Sequence, residues 1–217
     1  MNPEYYDRGY LLEKNLIPQF ILDEIRDWWH SSHLVFDYEA RRDGFVNNSY
    51  QIEDSKANRL INYIYDYLTP RIECIINMPL VPTYNQGRMY LAGAEMRAHV
   101  DRIVCDVSVT FTICHSGESW PIKLIDKKGE QKEVHTAPGD VMIYSGTEVE
   151  HWREPNTYND FQLQHFFHWF SPHSRAGSFL NEFSEEERNN SSGQWGGSLD
   201  KIFEAEGKLP LPRRKNV

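Results

Sequence analysis

From Pro79-Leu-Val-Pro82 onward, about ninety residues divide into short stretches rich in β-branched and aromatic side chains, each closed by a turn signal. Val104–Ile113 reads Val-Cys-Asp-Val-Ser-Val-Thr-Phe-Thr-Ile, a composition that suits a pleated, partly buried strand. Around it, strands are expected over Arg88–Arg97 (one or two, about Gly93), Ile122–Ile125, Glu133–Thr136, Val141–Tyr144, Glu150–Arg153 and Phe161–Phe170. The turns between them are Asp126-Lys-Lys-Gly129, Pro138-Gly-Asp140 and Ser145-Gly-Thr147. Several short strands at close intervals with turn signals predict a β-sandwich or barrel.

The residues before Pro79 have a helical texture. Pro18 suits the first turn of a helix running toward His30, with Phe20, Ile21, Ile25, Trp28 and Trp29 near one face. A turn-like stretch, Tyr38–Tyr50, precedes a second helix expected from Asp54-Ser55, whose stripe is Leu60, Ile61, Ile64, Tyr65 and Leu68; Pro70 is expected to kink or end it. Beyond Pro172 the chain turns polar, with one short helix expected over Asp200–Glu206. The expected organisation is one domain, 1–217: helical support over 1–78, a β core over 79–171 and a polar extension over 172–217. A length of 217 residues supports one substantial core and not two comfortable ones.

The net charge of −9 disfavours a nucleic-acid partner, and Arg41-Arg42 and Arg213-Arg214-Lys215 read as solvated loop or tail charges. Three cysteines, Cys74, Cys105 and Cys114, make no disulfide framework. With no secretory signal or membrane-length apolar run evident, a cytoplasmic protein is expected. Six Trp, twelve Tyr and eleven Phe favour large buried rings around a lined pocket.

His99-Val-Asp101 carries the chemistry. Residues two apart on a strand share a face, so an imidazole and a carboxylate can reach one metal. His151, 50 positions after Asp101, supplies a second imidazole from another strand. Two His and one carboxylate on one side of a metal leave positions open, the facial arrangement that suits non-haem Fe(II). Alone, His-X-Asp is a weak signal; its neighbourhood makes it specific. In order come Tyr90-Leu-Ala-Gly93, His99 to Arg102, Trp120-Pro121, Pro138-Gly-Asp140 and His151-Trp-Arg-Glu-Pro155.

On these motifs, over roughly residues 80–171, the chain resembles the prolyl-hydroxylase-like group of 2-oxoglutarate and Fe(II)-dependent oxygenases. The resemblance implies a fold that is mainly β with flanking α: a double-stranded β-helix (jelly roll) with the N-terminal helices packed on one sheet. It implies Fe(II), 2-oxoglutarate and O2 as cofactor and co-substrates, with succinate and CO2 as products. The implied reaction is hydroxylation of a C–H bond, on a peptidyl or free amino acid. It implies His99, Asp101 and His151 as metal ligands. It also implies a Lys or Arg about ten positions after the second His, and there this chain has Phe161-Gln-Leu-Gln164. Strand geometry offers Arg153 instead: two residues beyond His151, on its face, with Cα atoms roughly 7 Å apart. A salt bridge of Arg153 to Glu150 or Glu154 is the competing reading. Arg97, two before His99, is a second candidate for the co-substrate carboxylate. Arg102, pointing away from Asp101, suits substrate contact. Tyr90 or Tyr84 can serve 2-oxoglutarate; Gln164 and His168 share a strand face and are placed at the pocket; His165 falls on the opposite, surface-directed face. Trp120 either packs under the barrel or lines the substrate mouth. The competing functions are a cupin-type metalloprotein, isomerase or direct dioxygenase, that does not use 2-oxoglutarate, and a binding module on the same fold.

Overall fold

The computed structural model of the chain describes residues 2–31, 34–36, 46–52 and 59–174. The expected helix start at Asp54-Ser55, both basic clusters and the helix expected over 200–206 lie outside them.

Two antiparallel sheets face each other. Strands β1 (Tyr10–Glu13), β2 (Leu34–Phe36), β3 (Ser49–Ile52), β4 (Val81–Leu91), β6 (Val107–His115), β9 (Val141–Ser145) and β11 (Phe161–Phe170) form the larger, in the order β1-β9-β6-β11-β4-β3-β2. Strands β5 (Met96–His99), β7 (Ile122–Ile125), β8 (Gln131–Val134) and β10 (His151–Arg153) form the smaller, in the order β5-β10-β7-β8. Helices α1 (Pro3–Arg8), α2 (Gln19–Ser31) and α3 (Arg59–Ile76) come from the first part of the chain, which also contributes β1, β2 and β3. Val104 and Cys105, expected in a strand, instead lie in a 3-10 turn over Ile103–Cys105, and β6 begins at Val107.

The alternation along β6 decides which face meets which neighbour. Val107, Val109 and Phe111 join Ile143, Leu163, Phe167 and Trp169 in a core shared with Ile21, Ile25 and Trp29 of α2 and Ile61, Ile64, Leu68, Ile72 and Ile76 of α3. Spacings of three, four and seven put those helix residues on one stripe. The helix runs through Pro70, whose exposed position keeps its ring off the core side. Met142 and Tyr144 of β9 and Tyr90 of β4 face the other way, toward Met96, Trp120, Ile122 and Leu124 between the sheets.

α2 sits so close that a Cβ at Gly87 would lie 2.9 Å from the Trp29 ring and 3.1 Å from His165 Nδ1. His165 is therefore a core residue, not a surface one. The sequence places it correctly on the face away from the barrel, but that face is covered by helices. It is fully buried, with Nε2 3.0 Å from Asn85 Oδ1 and its ring stacked on Phe167. Burial pushes its pKa down to about 3 from 6.5. Between these values the unfolded chain binds a proton that the folded chain refuses, so the neutral imidazole supports the fold above pH 6.5 and loses that support as the pH falls toward 3. One such proton corresponds to a slope of about 1.4 kcal/mol per pH unit. Urea unfolding from pH 7 to 4 is expected to show a shallower loss of stability in His165→Gln than in the wild type; parallel slopes would refute this placement of the titration.

Candidate metal centre

The smaller sheet brings the two imidazoles together. β10 pairs with β5 so that His151 lies opposite His99, with ring centroids 4.2 Å apart. The chain leaves β5 after His99, and Asp101 N–H donates to Gly146 O at 2.7 Å, tying this loop to the end of β9. Asp101 Oδ1 then lies 3.6 Å from His99 Nε2 and 3.7 Å from His151 Nε2. One donor atom from each of the three residues lies within 4.8 Å of the other two.

Both rings are held by the same device. His99 Nδ1 lies 2.8 Å from Arg97 O, and His151 Nδ1 lies 2.9 Å from Val149 O. A carbonyl only accepts, so each Nδ1 carries the hydrogen and each Nε2 presents a lone pair toward Asp101. Burial pushes His151 down to about 4, keeping it neutral. Burial works against the Asp101 anion, yet the charge that His151 carries once it is protonated outweighs this and holds the Asp101 carboxyl below the usual range, so Asp101 is already ionised wherever His151 is neutral. Two neutral imidazoles and a carboxylate are the donor set that a divalent cation such as Fe(II) takes.

The second oxygen of Asp101 is already used. Ser108 Oγ donates to Oδ2 at 2.7 Å, leaving Oδ1 turned to the imidazoles. Behind it, a Cβ at Gly146 would stand 2.5 Å from Oδ2, 2.6 Å from Ser108 Oγ and 2.3 Å from Cys105 O. Glycine at 146 is a requirement of this cradle. Neither Ser108 nor Gly146 is among the residues expected from sequence. The signal for Ser108 is present as the hydroxyl alternation Ser108, Thr110, Thr112 inside an otherwise apolar run.

Arg153 shares the buried face of His151, as strand geometry predicts, while Trp152 between them is part-exposed and donates to Glu154. The guanidinium is 2% exposed. Nη1 donates to Trp120 O, and the group stands over the Trp120 ring at 4.7 Å. Nε and Nη2 are buried and have no partner among the described residues. No salt bridge to Glu150 or Glu154 forms; Glu154 pairs with Lys123. Burial lowers the Arg153 pKa to about 10, against the pull of the Tyr90 and Tyr144 hydroxyls, so it stays a cation at neutral pH.

The remaining expected residues divide. Tyr90 is buried, edge-on to Trp120 at 5.1 Å, on the Arg153 side. Trp120 is a wall behind Arg153 and not a mouth residue: it is 1% exposed, and its backbone is fixed by Gln162 through N–H to Oε1 (2.8 Å) and O to Nε2 (3.2 Å). Gln164 faces the barrel but is fully engaged by Thr110 and Thr112. His168 faces the barrel beside Ser108. Arg102 is exposed at the ligand loop. Arg97 does not share the face of His99: a register shift in the β10–β5 pairing turns Met96 and His99 inward and leaves Arg97 and Ala98 exposed between them.

Replacing Gly146 by Ala should displace the Asp101 carboxylate without emptying any core site. Divalent-metal affinity, read by Co(II) absorption or Zn(II) competition, is expected to fall roughly 10- to 100-fold with the far-UV spectrum unchanged. Wild-type affinity in this variant would show that Oδ2 is not confined as described.

No family model matches the sequence, and no curated protein matches it. Solved structures do. A Pseudomonas putida prolyl-4-hydroxylase superposes with TM-score 0.58 at 17% identity, covering 76% of this chain and 95% of that one. HygX from Streptomyces hygroscopicus, solved with nickel, 2-oxoglutarate and hygromycin B, gives 0.62 at 11% identity, covering 76% and 84%. A Trichoplax adhaerens prolyl hydroxylase, in complex with a hypoxia inducible factor peptide fragment, gives 0.61 at 14% identity, covering 81% and 90%. At these identities the likeness shows the fold, and the fold is the expected double-stranded β-helix with helices packed on one sheet.

Proposed function

We propose that the chain is an Fe(II)- and 2-oxoglutarate-dependent dioxygenase that hydroxylates a C–H bond. The observation that carries this reading is Arg153: a buried guanidinium with two nitrogens that have no partner among the described residues, two residues beyond His151 on the same face. Leaving a buried charge uncompensated costs several kcal/mol, on the order of 3–5 for a broken pair. A carboxylate at Nε and Nη2 removes that cost and forms a charge-assisted pair. A divalent cation held by His99, Asp101 and His151, and a dicarboxylate held by Arg153, would satisfy both sets of groups. The bound iron and 2-oxoglutarate supply the oxidising chemistry.

The chain's own groups do the rest. His99, Asp101 and His151 hold the ion through lone pairs and one carboxylate oxygen. Arg153, with Tyr90 beside it, orients the co-substrate, while Trp120 and Met142 keep that end of the barrel apolar and dry. Arg102 and His168 stand on the substrate side. HygX is solved with a small-molecule antibiotic and the Trichoplax enzyme with a peptide, so both substrate types fit this fold. The prolyl-hydroxylase-like motifs favour a peptidyl or free amino acid here.

Anaerobic addition of Fe(II) and 2-oxoglutarate to the metal-free protein is expected to give the weak visible charge-transfer band of the chelate. His99→Ala should abolish the band, and Arg153→Ala should weaken 2-oxoglutarate binding roughly 10- to 100-fold. Iron binding without a band would overturn the reading in favour of a cupin-type metalloprotein.

A further inference from the structure

Ser108 links the metal ligands to a residue that the proposed chemistry leaves unexplained. Its Oγ lies 2.7 Å from Asp101 Oδ2 and 2.9 Å from His168 Nδ1. A hydroxyl has one hydrogen, and an ionised carboxylate can only accept. The hydrogen therefore points to Asp101; the carbonyl of Cys105, at 3.3 Å, is the longer alternative. Ser108 Oγ then presents lone pairs to His168, so Nδ1 must carry the imidazole hydrogen. Were Nδ1 the acceptor, Ser108 would turn its hydrogen away and set an oxygen lone pair against the Asp101 anion. The direction of the chain fixes the tautomer, and His168 Nε2 is left with a lone pair.

That lone pair is not sealed in the core. Nε2 has no hydrogen-bond partner among the described residues, and it is not among the fully buried unpaired atoms. Tyr84 stacks on the imidazole at 4.5 Å, its hydroxyl accepting from Cys105 Sγ at 3.2 Å, so the ring cannot swing aside freely. The groups facing His168 from neighbouring elements are Asp101, His151 and Arg102. Along β4 and β11 the inner face is only partly buried at Tyr84, Gln86 and Phe166. Among the described residues the inner face is thus less covered on the side of His168, itself 6% exposed, than on the side of Arg153.

We propose that His168 is a specificity-determining residue that contacts substrate: its Nε2 accepts a hydrogen bond from an N–H or O–H group of the molecule to be oxidised. This rests on the metal-centre reading above and adds the substrate class, a donor-bearing neutral or cationic group such as a secondary amide, amine or alcohol next to the reacting carbon. A carboxylate or a fully substituted amide at that position would set lone pair or methyl against Nε2 and lose the bond.

The test uses the full chain labelled with 15N-histidine, with Zn(II) as the ion. The His168 signals are identified by their loss in His168→Phe. Long-range 1H–15N correlation at neutral pH is expected to show Nδ1 protonated and Nε2 bare, in the metal-free and Zn(II) forms alike, and Ser108→Ala should mix the tautomers. Acetamide should shift Nε2, while N,N-dimethylacetamide, which keeps the carbonyl but has no N–H, should bind about tenfold more weakly. A protonated Nε2 in the wild type, an equal response to the two amides, or a response to neither would overturn the proposal. Failure of Zn(II) to move the His99 and His151 signals would instead refute the metal centre, and the His168 tautomer would still be legible.

Discussion

The hydrogen bond from Ser108 to Asp101 joins the two halves of this molecule. His99 and His151 belong to the smaller sheet; Ser108 and the chain end at Gly146 belong to the larger. Asp101, on the loop that leaves β5, is the point where they meet. With one oxygen committed to the larger sheet, the other has a single direction left, toward the two Nε2 atoms. The candidate metal site is therefore held as firmly as the packing of the sheets, because Asp101, its one carboxylate, is held from both. A carboxylate on an untethered loop could chelate through both oxygens or turn out to solvent, and nothing in the imidazole positions would prevent it.

The second constraint is the charge of Arg153. Guanidinium burial behind Trp120 is unfavourable in the chain by itself, since a ring face and one carbonyl replace only part of its hydration. Evolution of stability alone would favour an apolar residue there. The proposed co-substrate, with its distal carboxylate, would change the balance: the unfavourable term would belong to the unliganded state and be relieved on binding. Arg153 lies on the same strand as His151, so the proposed ion and anion positions would both be set by one short segment, His151–Arg153. The position that the sequence resemblance points to, on β11, carries Phe161 and the engaged pair Gln162 and Gln164. Gln162 instead pins the Trp120 backbone that Arg153 uses.

The fold and the meeting of His99, Asp101 and His151 were legible in the sequence because both rest on local spacing. Strand periodicity puts β-branched residues in β6 and β9 and aromatic residues in β11, and His-X-Asp with a later His needs only the right strands to pair. What was not legible rests on geometry between strands. Arg97 shares the face of His99 in a regular strand, but the shift in the β10–β5 register cancels that rule. His165 lies opposite the pocket as expected, and only the closeness of α2 at Gly87 shows that this side is core and not surface. Gly146 read as a turn residue; its actual demand comes from Asp101, 45 positions away in sequence (146 − 101).

The alternation along β6 ties these observations together. One face, Val107, Val109 and Phe111, holds the helices; the other, Ser108, Thr110 and Thr112, is a ladder of hydroxyls. Thr110 and Thr112 lock Gln164, and Thr112 meets Thr136, so two rungs build a satisfied polar floor. Ser108 is the rung that reaches the site, donating to Asp101 and lying 2.9 Å from His168 Nδ1. A slip of one residue would bury the hydroxyls under helices and turn the valines to the metal. Register therefore sets more than stability. It determines that the group behind Asp101 is a hydroxyl, which orients the carboxylate on one side and the His168 imidazole on the other.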